Sequence, residues 1–238
     1  MNKGSLILLP APLGDNDPAE VIPAPVLAAA CALNCFVVEE TRTARRFLSR
    51  YGLKGRIDTL EFHELNEHTT PAEVEALLPL FDGRDVGLIT EAGLPAIADP
   101  GSALVELCHR KGIKVVPMVG PSSLMLALMA SGLNGQSFAF LGYIPAKTDE
   151  RRAAIKNLER TSASLRQTQI LIETPYRNDS LLKDLKDCLN PNTRLCVAAD
   201  ITLPTEFIAT KTVAGWRKTD MTIGKRPCVF LVLARWEQ

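Results

Sequence analysis

No stretch of this chain is long and apolar enough to cross a bilayer. Its first apolar run, residues 6–9, stops at Pro10, too soon for a secretory signal. The six cysteines are scattered, mostly beside apolar residues, and none forms a CxxC pair. That pattern argues against a zinc ribbon or a disulfide framework and predicts buried, reduced thiols in a cytoplasmic protein. No GxGxxG follows the first apolar run, and neither GxxxxGKS nor GxxxxGKT occurs. A dinucleotide or nucleoside triphosphate bound in its familiar mode is therefore not expected. Aromatic residues make up only 5% of the chain, so its core must be aliphatic. Neither charge sign is in excess, with Lys plus Arg and Asp plus Glu at 27 each. Without a global basic field, any contact with nucleic acid must come from local patches.

What is present is an alternation of strand-like and helix-like runs over 238 residues, 46% of them hydrophobic, enough for two modest α/β domains. Strands are expected at 5–9, 36–38, 59–62, 85–89 and 113–116, with helices over 25–33, 43–51, 70–81 and 102–111. Thr70, Pro71 and Glu73 supply a helix start, with Thr70 as N-cap, Pro71 in the first turn and Glu73 closing a capping box. Strand–helix alternation of this kind predicts a parallel sheet covered on both faces, assigned to residues 1–117. The run Pro117-Met118-Val119-Gly120-Pro121 reads as a link to a second domain, residues 118–238. There, helices are expected over 122–130, 149–159 and 179–189, and strands at 138–141, 169–172, 195–199, 206–209 and 229–234. The last strands lack long helices between them, so the second sheet should be mixed. The fold class expected is α/β, with two α/β domains and an interdomain cleft.

Four loops rich in Gly and Pro follow predicted strands or the domain junction: residues 10–15, 91–101, 119–123 and 173–177. At the carboxyl end of a parallel strand, such loops form the floor of a ligand cleft. Gly93 and Gly101 let backbone approach a ligand, while Pro95 and Pro100 stiffen it. Any one loop is explained by turn geometry alone; the four together favour one shared ligand, with Ser122 or Ser123 placed to bind a carboxylate or phosphate. Arg42, Arg46 and Arg50 recur every four residues, a cationic stripe suited to phosphates or simply to water. Lys147 with Arg151 and Arg152, and Lys225 with Arg226, make further basic patches compatible with RNA contact. His63 and His68 flank a polar segment whose spacing fits no usual metal pattern, so no metal is expected.

In order along the chain, the loops and their neighbours resemble the tetrapyrrole methylase superfamily, and within it the ribosomal RNA small subunit methyltransferase I branch. The runs that carry the resemblance are Ala11-Pro12-Leu13-Gly14-Asp15, Val38-Glu39-Glu40-Thr41-Arg42, His63-Glu64-Leu65-Asn66-Glu67, residues 91–101, Val119-Gly120-Pro121-Ser122-Ser123, Gly142-Tyr143-Ile144-Pro145-Ala146-Lys147, Glu173-Thr174-Pro175-Tyr176-Arg177 and Ala199-Asp200-Ile201-Thr202-Leu203. The chain departs from that branch in having Ala199 and Leu203 where cations are usual, Asp15 for Asn, Glu91 for Asp, and Arg226-Pro227 for a Gly-Glu pair.

The resemblance implies a short form without the C-terminal extension of longer members, a homodimer, and S-adenosylmethionine as methyl donor between the domains. It implies that Pro12, Glu91, Ala92, Gly93, Ile97, Ala98, Ser122 and Ser123 contact one part of that cofactor. Thr174, Tyr176, Ile201, Pro227 and Cys228 would contact the adenine side. In the branch, the acceptor is a cytidine ribose 2′-hydroxyl of small-subunit ribosomal RNA. Such an acceptor calls for a base; Glu40 and Glu91 are the candidates, either of which can instead pair with Arg42. The alternatives are a tetrapyrrole or other small-molecule methyltransferase and a non-catalytic module that only binds S-adenosylmethionine.

Overall fold

The structure, a computed structural model, describes residues 3–235 and divides into two compact units, Met1–Ser122 and the remainder from Ser123.

In the first unit, strands β1 (Ser5–Leu9), β2 (Cys35–Val38), β3 (Glu61–Glu64), β4 (Val86–Ile89) and β5 (Lys114–Pro117) form one sheet in the order β3-β2-β4-β1-β5. Every pairing in it is parallel. The buried runs Cys35–Val38 and Val86–Ile89 explain why these strands sit centrally: sheet faces covered on both sides select continuous apolar runs. Helices α1 (Pro18–Val21), α2 (Ala24–Cys31) and α3 (Thr41–Leu48) precede β3, and α4 (Pro71–Glu75) and α5 (Gly101–Arg110) follow it. Val26, Ala30 and Phe47 pack with Ile7, Leu9 and Phe36 on one face, while Val74, Leu104 and Leu107 pack with Leu6, Val86 and Leu88 on the other. The adjacent strands β1 and β4 thus send their chains to opposite faces, the arrangement that opens a crevice at their carboxyl ends.

The second unit contains α6 (Ser123–Ser131), β6 (Phe138–Tyr143), α7 (Thr148–Leu165), β7 (Thr168–Ile172), α8 (Asn178–Cys188), β8 (Arg194–Ala199), β9 (Phe207–Thr212), α9 (Val213–Arg217) and β10 (Cys228–Leu233). Its sheet runs β6-β7-β10-β8-β9 and is mixed, β6 and β7 being parallel and the other pairs antiparallel. Ile155, Leu158, Leu181, Leu185 and Trp216 cover one face, and the indole N–H of Trp216 donates to Leu195 O at 2.8 Å. Both sheets are of the predicted kinds.

Two local expectations are corrected. The helix expected over 70–81 is broken: α4 ends at Glu75 and a 3-10 turn covers Leu78–Phe81. Pro79 lacks the N–H needed for a further helical bond, and its ring would collide with the carbonyl four residues back. The Thr70–Glu73 capping box does form, with Thr70 N donating to Glu73 Oε2 at 2.7 Å. Nor do Arg42, Arg46 and Arg50 make one stripe, because α3 gives way after Leu48 to a wider turn in which Gly52 takes φ 109°. Arg50 instead grips the first loop, donating to Asp15 Oδ1 at 2.8 Å and to Asp15 O at 3.2 Å.

All six cysteines are free; Cys35, Cys108, Cys196 and Cys228 are buried. Burial pushes the thiols of Cys35 and Cys108 up to about 11, far from reactivity. No helix among the described residues is long and apolar enough to cross a membrane.

Candidate functional site

In the first unit, the candidate loops all leave from the carboxyl ends of neighbouring strands, where the chain must turn sharply with little room. Ala11 N donates to Gly93 O at 2.8 Å and Gly93 N returns a bond to Ala11 O at 3.1 Å, locking the loop after β1 to the loop after β4. Gly93 has φ 75°, and a Cβ there would stand 3.3 Å from Leu13 Cδ2 and 3.6 Å from Pro121 O. The loop after β5 is closer still: a Cβ on Gly120 would lie 2.1 Å from Pro10 Cβ. Three loops therefore meet closely, backbone to backbone at Ala11 and Gly93 and backbone to proline ring at Gly120, where a Cβ has no room.

The loop after β4 is also strained. Ala96 and Ala98 adopt φ 65° and 60°, a region that costs an L-residue about 1–2 kcal/mol each. Asp99 holds the conformation, its Oδ1 accepting from Ala96 N and Gly101 N, both at 2.8 Å. Asp99 Oδ2 is buried and accepts nothing from the described residues. Glu91, Ala92, Ile97 and Ala98 are exposed on this loop, whereas Gly93 and Pro12 are buried and offer backbone. Ser122 and Ser123 are half-buried, Ser123 opening α6.

Carboxylates at this end divide sharply by environment. Glu40 caps α3, accepting from Arg42 N at 2.8 Å and Thr43 N at 2.6 Å; a hydrogen bond from the Thr43 side chain, followed by these backbone bonds, holds it below the usual carboxylate range. That is the wrong direction for a base, and Glu40 meets Arg42 through the Arg42 backbone, leaving the Arg42 side chain exposed. Glu39, one residue earlier, is half-buried; desolvation, followed by the charges of Glu91 and Asp99, raises its pKa. It lines a small hollow with Leu65, Thr90, Pro95 and Asp99, its Oε2 lying 3.5 Å from Thr90 Oγ1. Sequence reading passed over Glu39 because adjacent glutamates look alike; only the strand end, which turns one inward and one outward, separates them. Asp99 also went unremarked in the sequence, where nothing separates it from its Gly and Pro neighbours as the loop's brace.

Cys35, Glu61 and His63 place three donor atoms within 4.8 Å of one another. Glu61 is, however, already held by Arg84 Nη1 at 2.5 Å and His63 Nε2 at 2.7 Å, which drive its pKa down to about 2. The guanidinium supplies the positive charge a metal would bring. His68 and His109 are exposed.

In the second unit, Thr174, Tyr176, Ile201, Pro227 and Cys228 come to one end of the sheet, since β7 ends where β10 begins and β10 begins opposite the end of β8. Asp200 and Thr202 adopt φ 52° and 74° there. Of the five non-glycine residues with positive φ among the described residues, four are Ala96, Ala98, Asp200 and Thr202, so the strain concentrates in two candidate loops. Tyr176 is 80% exposed with Lys225 Nζ 5.1 Å above its ring, while Ile201 and Cys228 are buried. The Cys228 thiol, pushed up to about 12 by burial, leaves that residue's backbone as its means of contact. Glu173 accepts from Arg177 Nε at 3.0 Å and from Thr174 N at 2.7 Å, and Asn178 Nδ2 donates to Arg226 O at 2.7 Å. Glu173 Oε2 and Asn178 Oδ1 are buried acceptors with no hydrogen-bond partner among the described residues.

The family model for tetrapyrrole (corrin/porphyrin) methylases matches residues 19–215. The ribosomal RNA small subunit methyltransferase I of Neisseria meningitidis serogroup B is 32% identical over 210 residues, covering 88% of this chain and 68% of the relative. Its counterpart from Escherichia coli O157:H7 is 31% identical over 235 residues, covering 97% and 78%. Among solved structures, uroporphyrin-III C-methyltransferase of Thermus thermophilus, complexed with S-adenyl homocysteine, aligns with a TM-score of 0.56 and 17% identity over 97% of each chain. The chain belongs to the tetrapyrrole methylase family and is a methyltransferase.

Proposed function

We propose that the chain methylates a ribose 2′-hydroxyl, of a cytidine, in small-subunit ribosomal RNA. One observation carries this reading: about a third of the residues match relatives named ribosomal RNA small subunit methyltransferase I over 88% and 97% of the chain. The exposed guanidinium of Arg42 and that of Arg46 on α3 support it, since they lie beside the loop end and suit phosphates.

When bound, S-adenosylmethionine supplies a methyl group on a positively charged sulfur, open to in-line attack. Residues of the chain need only bind, align and exclude water, a contribution of about 7–11 kcal/mol at best. Donor contacts are proposed for Pro12, Glu91, Ala92, Gly93, Ile97, Ala98, Ser122 and Ser123, and also for Thr174, Tyr176, Ile201, Pro227 and Cys228. Glu39 is the proposed general base in place of Glu40, with exposed Glu91 beside it, because desolvation raises the pKa of Glu39 whereas the helix-cap bonds lower that of Glu40. Its carboxylate would take the hydroxyl proton as the oxygen–carbon bond forms and the sulfur–carbon bond breaks. A homodimer acting in the cytoplasm is the proposed assembly; the edge strand β6 supports it by exposing Phe138, Leu141 and Tyr143.

The test is transfer of a labelled methyl group from S-adenosylmethionine to small ribosomal subunits taken from a strain lacking the protein. Label in a 2′-O-methylcytidine is expected. Label only in a tetrapyrrole, or donor binding without any transfer, would overturn the proposal.

A further inference from the structure

At the end of the second sheet opposite the candidate loops, β8 begins, β9 ends and β10 ends, as the register Leu233↔Arg194↔Thr212 requires. A cavity of about 970 Å³ opens there, walled by Arg160 of α7, Arg194, Thr212, Asn192 and Arg235. Among the described residues, three arginines face one carboxylate, Glu159, which is already engaged by Asn190 N at 2.8 Å and Thr193 Oγ1 at 2.5 Å. No carboxylate among the described residues pairs with Arg160 or Arg194; their protein contacts are neutral oxygens at 3.3 Å and 3.4 Å, on Asn157 and Gly132. In a chain with no net charge, a hollow that concentrates guanidinium groups and amides, with its acid already occupied, selects a ligand with several phosphates.

We propose that this basin binds the phosphate backbone of the RNA acceptor, as a second contact removed from the candidate loops. The proposal rests on the reading of ribosomal RNA as substrate. β8, six residues long, separates the two ends of the sheet by about 20 Å, a span of several nucleotides. An open basin lined by exposed arginines suits a passing strand better than a small molecule, which needs enclosure. Free polyphosphate offers the same chemistry, and the experiment separates the two.

The probe is a fluorescent single-stranded RNA titrated with the full chain, S-adenosylhomocysteine present, at several salt concentrations. The double variant R160E/R194E should bind at least tenfold more weakly, and its salt dependence should flatten by about one unit per lost arginine. A milder R160Q/R194Q pair guards against a folding defect and should fall between it and the unchanged chain. Reversing charge instead at exposed Lys54 and Lys111 of the first unit should leave affinity within about twofold, the loss otherwise being a general charge effect. Inorganic tripolyphosphate should displace the RNA only at concentrations far above it. RNA affinity unchanged in both arginine variants, or tripolyphosphate bound tightly at the basin with RNA unaffected, overturns the proposal. Because binding is read without turnover, weakened binding with no methyl transfer would leave the basin standing while the substrate reading failed.

Discussion

Glu39 and Glu40 are neighbours in sequence and opposites in circumstance. One lies in a half-buried hollow beside two other acids; the other spends its charge on two helix amides. A raised carboxyl pKa means that Glu39 stabilises the fold most fully below its ordinary value of 4.5, and that this contribution is lost as pH rises through the folded value. Glu39→Gln should therefore melt no lower than the unchanged chain at pH 7, with the difference vanishing near pH 4, as differential scanning calorimetry would show. The same variant should lose about a hundredfold in kcat with little change in donor affinity, the share expected of a general base. A variant that turns over at the original rate removes Glu39 from the reaction. Sequence offered Glu40 and Glu91 as bases on position alone. Which of two consecutive glutamates faces inward depends on where β2 ends, and sequence-based boundaries are uncertain by more than one residue.

At the scale of elements, Gly93 and Gly101 were legible as close approaches, while Gly120 read only as part of a link. Gly120 turns out to face Pro10, and Gly120→Ala would force a Cβ into a space 2.1 Å from Pro10 Cβ. The cost should be about 3 kcal/mol, seen as a lower denaturant midpoint, since both loops are anchored to strands and neither can retreat. An unchanged midpoint would mean the loops are not interlocked. The tie between β3 and the turn before β4 makes a second expectation. Glu61, held near 2 by Arg84 and His63, adds stability above its ordinary value of 4.5 that disappears as pH falls toward 2. Arg84→Met should flatten that acid limb of the unfolding curve, modestly because the pair is partly exposed to solvent. Helix starts were readable from the Thr70 cap, while helix ends depended on Pro79 and on the Gly52 turn, whose effects on winding a periodic pattern cannot carry. That is why Arg50, in phase with Arg42 by count, serves the first loop instead.

For the whole molecule, the kinds of sheet followed from whether helices separate the strands, which sequence displays openly. The orders β3-β2-β4-β1-β5 and β6-β7-β10-β8-β9 did not, because strand neighbours are chosen by packing between residues far apart in the chain. The basin at the far end of the second sheet was equally hidden, its arginines lying on α7, at the start of β8 and just past β10. The claim on which the account turns is that backbone at the carboxyl ends of β1, β4 and β5 cradles the donor. Isothermal titration calorimetry with S-adenosylhomocysteine tests it, comparing the unchanged chain with Gly93→Val. A β-branched residue at φ 75°, with its Cβ 3.3 Å from Leu13, should abolish binding while the far-ultraviolet circular dichroism stays the same. Equal affinity in the two proteins, or none in the unchanged chain, would contradict the account.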